Sequence, residues 1–492
     1  MMKMQSDTIA AISTALSPSG IGMIRISGTG AIAAADRIYR SKGGRKRLVD
    51  QPTHTVHYGF ICDGEEVLDE VLVTLMRAPK SFTAEDVVEI NCHGGICALR
   101  RVLDAVLKQG VRPAEPGEFT KRAFLNGRID LSQAESVIDV INAKNSYALK
   151  SSVSQLRGSV REAVGSLRSR ILEQLAFIEA ALDDPEHISL DGYDARLKEQ
   201  TEKLLAELRR LIASSENGRL LREGIQTVIL GKPNAGKSSL LNVLVGSERA
   251  IVTDIAGTTR DLLEETVNLN GITLNIIDTA GIRHSADVVE QIGVDRARER
   301  AQNADLILYV VDSSTALDEN DREILSYLKG KKAVVILNKS DLPPVTTGED
   351  IRKELEAVCG ADSCIAADSE DSESRDAADG NRAVSAGYFI VEVSTKQESG
   401  IDALEDEIRR MFCEGELSYN DEVCITNARQ KACLCEAAEA LNKVLESIAC
   451  GMPEDFYSID LMSAYSALGE VTGEAVGEDL VDKIFSSFCM GK

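Results

Sequence analysis

The chain has 492 residues, 43% of them hydrophobic and 4% aromatic, with no tryptophan and a formal net charge of −24 from 55 basic and 79 acidic side chains. About three domains are expected at this length. No apolar run approaches the ~18 residues of a membrane span, and Met1-Met2-Lys3-Met4-Gln5-Ser6-Asp7 lacks a signal-peptide core, so a soluble, cytoplasmic protein is expected. The acidic balance excludes a chain that clamps nucleic acid alone, and an RNA substrate would need a basic partner subunit for much of its grip. The 11 cysteines show no C-x-x-C spacing or His-rich set, which argues for reduced thiols.

Residues 1–126 are expected to form an α+β domain. Strands are predicted at 8–12, 22–26, 71–75 and 87–90, the last leading into His93-Gly94-Gly95, and a helical period covers 96–109. Lys42, Arg45, Lys46 and Arg47 form a basic cluster that reads as a solvated loop, with a phosphate contact as its other reading. From 127 to 223 apolar residues recur three and four apart (Leu131, Ala134, Val137, Ile138, Ile141), which predicts helices. The same character returns at 428–448 and 459–488. Cys433 and Cys435 stand too close on one helix to face the same way. Residues 224–414 are therefore expected to be a nucleotide-binding domain inserted into a helical domain made of 127–223 and 415–492. Both linkers enter that helical domain, so nucleotide-driven motion would pass straight to it.

Inside the insertion, the apolar run 225–230 precedes Gly231-Lys232-Pro233-Asn234-Ala235-Gly236-Lys237-Ser238, which fits G-x-x-x-x-G-K-[ST]. Glycines let backbone N–H groups turn around phosphates, Lys237 reaches the β- and γ-oxygens, and the Ser238 hydroxyl ligates Mg²⁺. A helix follows from Ser239. Asp278-Thr279-Ala280-Gly281 supplies an acid near the metal and a glycine N–H for the γ-phosphate. Asn338-Lys339-Ser340-Asp341 follows a strand at 333–337, where an aspartate can accept two hydrogen bonds from the guanine edge. Ser394-Thr395-Lys396 after 389–393 would complete the base pocket. Each element stands at a strand end, where open α/β sheets bind ligands, and the chain is expected to prefer GTP.

Ile282 stands where Ras-type GTPases carry a water-orienting glutamine, and an aliphatic side chain cannot position water. Residues 251–261 read as the first switch, with Thr259 as a second Mg²⁺ hydroxyl. Arg260 has two readings, a solvated charge and a finger-type role. Asn234 offers a further side-chain oxygen in the phosphate loop. Residues 361–384 hold seven acids and two arginines and cannot bury enough apolar surface to order themselves. They are expected to loop out.

Further motifs carry a resemblance. Asp7-Thr8-Ile9-Ala10-Ala11-Ile12, Ser81-Phe82-Thr83-Ala84-Glu85-Asp86-Val87-Val88-Glu89, His93-Gly94-Gly95, Pro116-Gly117-Glu118-Phe119-Thr120-Lys121-Arg122-Ala123-Phe124-Leu125-Asn126-Gly127-Arg128 and the tail Ile484-Phe485-Ser486-Ser487-Phe488-Cys489-Met490-Gly491-Lys492 closely resemble the MnmE (TrmE) family of tRNA modification GTPases. The likeness runs from about residue 7 to the end, leaving mainly the acidic insertion unmatched.

The resemblance implies an N-terminal folate-binding domain, a discontinuous helical domain and an inserted Ras-like GTPase domain. It implies a homodimer that joins the flavoprotein MnmG in a heterotetramer and places an aminomethyl or carboxymethylaminomethyl group on carbon 5 of a tRNA wobble uridine. The one-carbon unit would come from methylenetetrahydrofolate, with FAD on the partner and glycine or ammonium as amine donor. Positions matching Arg25, Glu89, Arg128 and Lys492 would contact the folate between paired N-terminal domains. K⁺ held by Asn234, Thr253, Ile255 and Thr258 would stand in for an arginine finger when two GTPase domains pair. Glu290 matches the family's water-orienting acid.

Arg128 stands where the family often has lysine, which changes donor geometry while keeping charge. The segment 14–20 departs from a loop the family makes richer in glycine and proline. Cys489 is either a packed thiol or a nucleophile toward the uracil ring. An alternative function, that of a potassium-dependent GTPase acting in RNA binding or ribosome assembly, shares the GTPase domain but has no use for a folate pocket or the cysteine tail.

Overall fold

The computed structural model describes residues 7–246, 265–269, 272–277, 301–359, 388–413, 423–474, 477–486, 488 and 491. Two compact units result, one made of Met1–Asn142, Ser152–Ile212 and Ala428–Lys492, the other of Ala143–Ser151 and Ala213–Asn427.

In the first unit, period-two alternation builds a seven-stranded sheet from β1 (Ile9–Ile12), β2 (Ser19–Ser27), β3 (Tyr39–Ser41), β4 (Thr55–Asp63), β5 (Glu66–Met76), β6 (Val87–Gly94) and β7 (Arg112–Pro113), in the order β3-β4-β5-β6-β2-β1-β7. Ile24 and Ile26 of β2 join Val88, Ile90 and Cys92 of β6 under helices α1 (Ala31–Ile38) and α2 (Ile96–Leu107). Residues between them must face the other side. Arg25 and Glu89 are directly opposite one another there, beside a smaller core of Ile9, Ala11, Ala114 and Phe119 with Phe82 packed against it. The expected loop at 14–20 is shorter than read, because β2 begins at Ser19.

Helix α3 (Glu118–Leu125) leads into α4 (Leu131–Asn142), α5 (Ser146–Leu156), α6 (Ser159–Asp183) and α7 (Tyr193–Glu223). In α6, Val160, Val164, Leu167, Ile171, Leu175 and Ile178 form one buried stripe, the pattern of a helix packed along one face.

The second unit is a six-stranded sheet of β8 (Ile225–Leu230), β9 (Glu265–Leu269), β10 (Ile272–Ile276), β11 (Leu306–Asp312), β12 (Lys332–Asn338) and β13 (Tyr388–Val393), ordered β13-β12-β11-β8-β10-β9. Only β9 runs antiparallel to its neighbour. The central strands read as continuous apolar runs because both faces are covered. Leu308 and Val310 pack on one side with α8 (Lys237–Gly246) and α11 (Ile401–Cys413), while Ile307, Tyr309 and Val311 pack on the other with α9 (Glu319–Tyr327) and α10 (Gly348–Cys359). Since β8 lies between β10 and β11, the loop after it opens at a topological switch point.

The chain then returns to the first unit through α12 (Ala428–Ala449), α13 (Glu454–Thr472) and α14 (Glu478–Ser486). The helical run read across 459–488 is broken at Gly473, whose left-handed backbone (φ 87°) caps α13. Cys433 is buried and Cys435 half-buried, so the two do face apart. The Glu135 carboxylate ties this return to α4, accepting from Arg429 Nε at 2.7 Å and Nη2 at 2.9 Å and from Gln430 Nε2 at 2.7 Å. No helix among the described residues is long and apolar enough to cross a membrane.

Candidate functional site

The phosphate loop follows β8, and α8 starts at Lys237 itself. Lys237 Nζ donates to the carbonyls of Gly231 at 2.6 Å and Lys232 at 2.7 Å. Burial holds its pKa below the usual lysine value, which is the penalty a bound phosphate would remove. A Cβ on Gly236 would collide with the Asn338 amide, so the loop closes on the base-side strand only with glycine there. Asn338 Nδ2 donates to Ala235 O at 2.8 Å and its Oδ1 accepts the Thr395 N–H at 3.2 Å. One side chain thus joins the phosphate loop to the loop after β13. Ser394 Oγ donates to Asp341 Oδ1 at 2.8 Å, fixing the carboxylate expected to read guanine.

Two features of this site are not visible in the motifs. Lys339 Nζ lies 2.5 Å from Asp312 Oδ2. Burial works against the ionised Asp312 carboxyl, but hydrogen bonds from Lys339 and Ser314 outweigh it and hold the pKa below the ordinary range. Lys232 pairs with Asp318 at 3.0 Å and with the buried Asp321 at 2.7 Å. Asp321 Oδ1 also accepts the Tyr309 hydroxyl at 2.7 Å, and burial followed by that carboxylate pushes the Tyr309 pKa upward. The only sequence trace of this network is the Asp318-x-x-Asp321 capping box that opens α9.

A second constellation occupies the open face of the N-terminal sheet. Arg25 Nε donates to Glu89 Oε1 at 3.0 Å and Nη2 lies 2.9 Å from the same oxygen, with both side chains largely buried. The Arg25 guanidinium carbon is 5.9 Å from the Phe82 ring centre and 5.7 Å from that of Phe119, and Arg128 stands 5.1 Å from Phe82, all within cation–π range. Arg25 Nη1 donates to Gly491 O at 3.3 Å and Ser13 Oγ to the same oxygen at 3.0 Å. The tail is brought here by Val481, Phe485 and Phe488, which pack with Ala123, Ile129, Leu131 and Ala134.

Beneath lies a buried ion network. Arg122 meets Asp7 at 2.8 Å, Glu118 at 3.0 Å and Glu85 at 3.2 Å, and Ser27 Oγ donates to Glu85 at 2.7 Å. Beyond Phe82 and Arg128 opens a cavity of about 470 Å³ walled by Ile129, Gln133, Val137 and Leu156 among others.

Of the sequence-predicted residues, the structure brings Asn234, Ala235, Gly236, Lys237, Ser238 and Ser239 into one loop and helix start, and Asn338, Lys339, Asp341, Ser394, Thr395 and Lys396 beside it on adjoining strand ends. Asn234 holds a left-handed backbone at φ 63°. Arg25, Glu89 and Arg128 share the Phe82 neighbourhood. Thr253, Ile255, Thr258, Thr259, Arg260, Asp278, Thr279, Ala280, Gly281, Ile282, Glu290, Cys489, Lys492 and the acidic stretch 361–384 lie outside the described residues. In the basic cluster, Arg47 pairs with Asp36 at 2.9 Å and Lys42 lies 5.2 Å from the Tyr58 ring. Among the described residues no group of three or more His, Cys, Asp or Glu is placed to hold a metal ion.

The strand order, the loop at the switch point and the Asn338–Asp341–Ser394 arrangement define a P-loop GTPase domain. Residues 131–489 match the description "MnmE helical domain" and residues 8–128 match "GTP-binding protein TrmE N-terminus". The tRNA modification GTPase MnmE of Lachnoclostridium phytofermentans is 54% identical over 489 residues, covering 99% of this chain and 100% of that protein. The tRNA modification GTPases MnmE of Bacillus mycoides and Acetivibrio thermocellus are each 46% identical, over 492 and 490 residues, again covering 99% of this chain and 100% of theirs. The chain belongs to the MnmE (TrmE) family.

Proposed function

We propose that GTP hydrolysis by this chain drives addition of an aminomethyl or carboxymethylaminomethyl group to carbon 5 of the tRNA wobble uridine, together with an MnmG-type flavoprotein. The coarser statement follows from the family: the chain is a GTP-hydrolysing enzyme of tRNA modification, acting on GTP with Mg²⁺. The observation that carries the finer reading is the meeting of Arg25, Glu89 and Gly491. It puts the cysteine-bearing tail at a carboxylate–guanidinium pair walled by aromatic rings, a setting that fits a flat heteroaromatic ligand with an amide-like edge.

Methylenetetrahydrofolate would supply the one-carbon unit here, with FAD held by the partner. Glu89 would accept the N–H groups of the pterin edge, while Arg25 keeps that carboxylate ionised and in place. Arg128 and Lys492 would bind the carboxylates of the glutamate tail, with the folate lying between the N-terminal domains of a homodimer. Cys489 would add its thiolate to carbon 6 of uracil, passing the electron pair to carbon 5, and leave once carbon 5 is substituted.

In the GTPase domain, Lys237 would hold the β- and γ-oxygens, and Ser238 and Thr259 would ligate Mg²⁺. Asn234, Thr253, Ile255 and Thr258 would hold K⁺, whose charge offsets that developing between the phosphates. Glu290 would orient the attacking water in place of the missing glutamine. The protein would work in the cytoplasm.

The test is calorimetric titration of the untagged full chain with 5-formyltetrahydrofolate. Saturable binding is expected, weakened at least about tenfold by Glu89→Ala, the scale of one charge-assisted hydrogen bond. No binding by a folded, GTP-hydrolysing chain would overturn the folate reading.

A further inference from the structure

Thr273 on β10 and Asn268 on β9 are directly opposite one another across the hairpin. Both are bonded to the two residues that open α5. Asn145 Nδ2 donates to Thr273 Oγ1 at 2.9 Å, and Asn268 Nδ2 donates to Lys144 O at 3.1 Å. The other end of the Asn145 amide accepts the Ala148 N–H at 2.7 Å, so the same side chain caps α5. A cap needs only an oxygen acceptor. The buried Asn145 spends its nitrogen on the sheet as well, which joins the helix start to the strand. Two residues along β10, Asn275 Nδ2 donates to Glu223 O at 2.7 Å, where α7 ends.

This hairpin is placed to feel the nucleotide. In sequence, β9 follows the expected first switch at 251–261, and β10 runs through Ile277 to Asp278 of the D-T-A-G element. Switch segments of GTPases are reordered by γ-phosphate contacts. Helix α5 has its first residues in the second unit and continues from Ser152 in the first. It is about 16 Å long at the helical rise. Its last residue, Leu156, accepts Gln133 Nε2 at 3.0 Å and walls the cavity shared with Phe82 and Arg128.

We infer that Asn145 is a positioning residue that passes the nucleotide state of the GTPase domain from β10 along α5 to the cavity beside Arg128. A shift of β10 pulls on the cap of α5 through Thr273, and Leu156 moves with the helix. The folate end of this relay rests on the function proposed above, whereas the hairpin-to-helix step does not.

The test uses hydrogen exchange of the full chain with GDP or a non-hydrolysable GTP analogue, in K⁺ and Mg²⁺. Thr273→Val removes the hydroxyl but keeps strand shape and the α5 cap. Asn145→Asp keeps the cap acceptor and loses the donor. In the unaltered chain, exchange of amides in 149–156 is expected to differ between nucleotides by at least about fivefold, the low end of site-to-site coupling. Both variants should lose that difference while GTP hydrolysis stays within about twofold. Nucleotide-independent exchange in the unaltered chain, or a full difference retained in either folded variant, overturns the inference. Failure of 5-formyltetrahydrofolate to bind the unaltered chain would sink the folate reading alone, since the exchange data still decide the coupling.

Discussion

Arg25 and Glu89 form a cross-strand pair between β2 and β6, and the same guanidinium reaches the carbonyl of Gly491, two residues beyond Cys489. A residue of the second strand thereby holds the end of a 492-residue chain. Arg25→Lys keeps the charge but lacks the planar fork needed to serve both partners. Modification of tRNA is expected to fall at least about tenfold, for about 1.4 kcal/mol of lost positioning. GTP hydrolysis should be unchanged, and measuring both activities on one preparation checks the separation.

Asp341 is oriented by Ser394 as a pure acceptor. Asp341→Asn replaces one acceptor oxygen with a donor, leaving guanine's N–H pair half unmet. Mismatched buried polar groups discriminate strongly, so GTP affinity should drop at least about a hundredfold, while affinity for xanthosine triphosphate, which carries an acceptor at that edge, should rise. Fluorescent nucleotide titrations would read both.

Much of this pocket was legible because its elements are contiguous. Six apolar residues at 225–230, a glycine-lysine loop and a helix start stand in sequence order, and strand-end geometry does the rest. The alternation around Ile24 and Ile26 likewise tells that Arg25 faces the opposite side. What no local pattern discloses is register. That Arg25 meets Glu89, that Lys232 meets Asp321 under Tyr309, and that Asn145 reaches Thr273 depend on which strands and loops become neighbours. The break at Gly473 was hidden for another reason, since the apolar period continues on both sides of it.

Glu118 gives a pH dependence. Its burial raises the carboxyl pKa, but hydrogen bonds from Arg112, the Glu115 backbone and Arg122 outweigh that and hold it below the ordinary 4.5. Asp7 is likewise held below 3.8, where burial opposes and Arg112 and Arg122 prevail. A depressed carboxyl stabilises the fold above its unfolded-state pKa and loses that contribution as pH falls through the folded-state value. The first thermal transition should therefore decline steeply below about pH 4.5. Glu118→Gln should flatten that slope and cost about 3 kcal/mol at neutral pH by stranding the buried Arg122. Calorimetry across pH tests both signs.

Cys489→Ser keeps the tail's size and removes the thiolate. If the thiolate attacks carbon 6 of uracil, GTP turnover should remain within about twofold while modification is lost by at least about a thousandfold, the scale of losing a nucleophile. Parallel loss of both activities would assign the cysteine to packing.

The central claim is tested most directly by reconstituting the full chain with its flavoprotein partner, unmodified tRNA, methylenetetrahydrofolate, an amine donor, K⁺ and GTP, then reading the wobble nucleoside by mass spectrometry. The account expects a carbon-5 aminomethyl or carboxymethylaminomethyl uridine that forms with GTP and fails with a non-hydrolysable analogue. Unmodified uridine from a mixture that hydrolyses GTP, or modification that proceeds equally with the analogue, would contradict it.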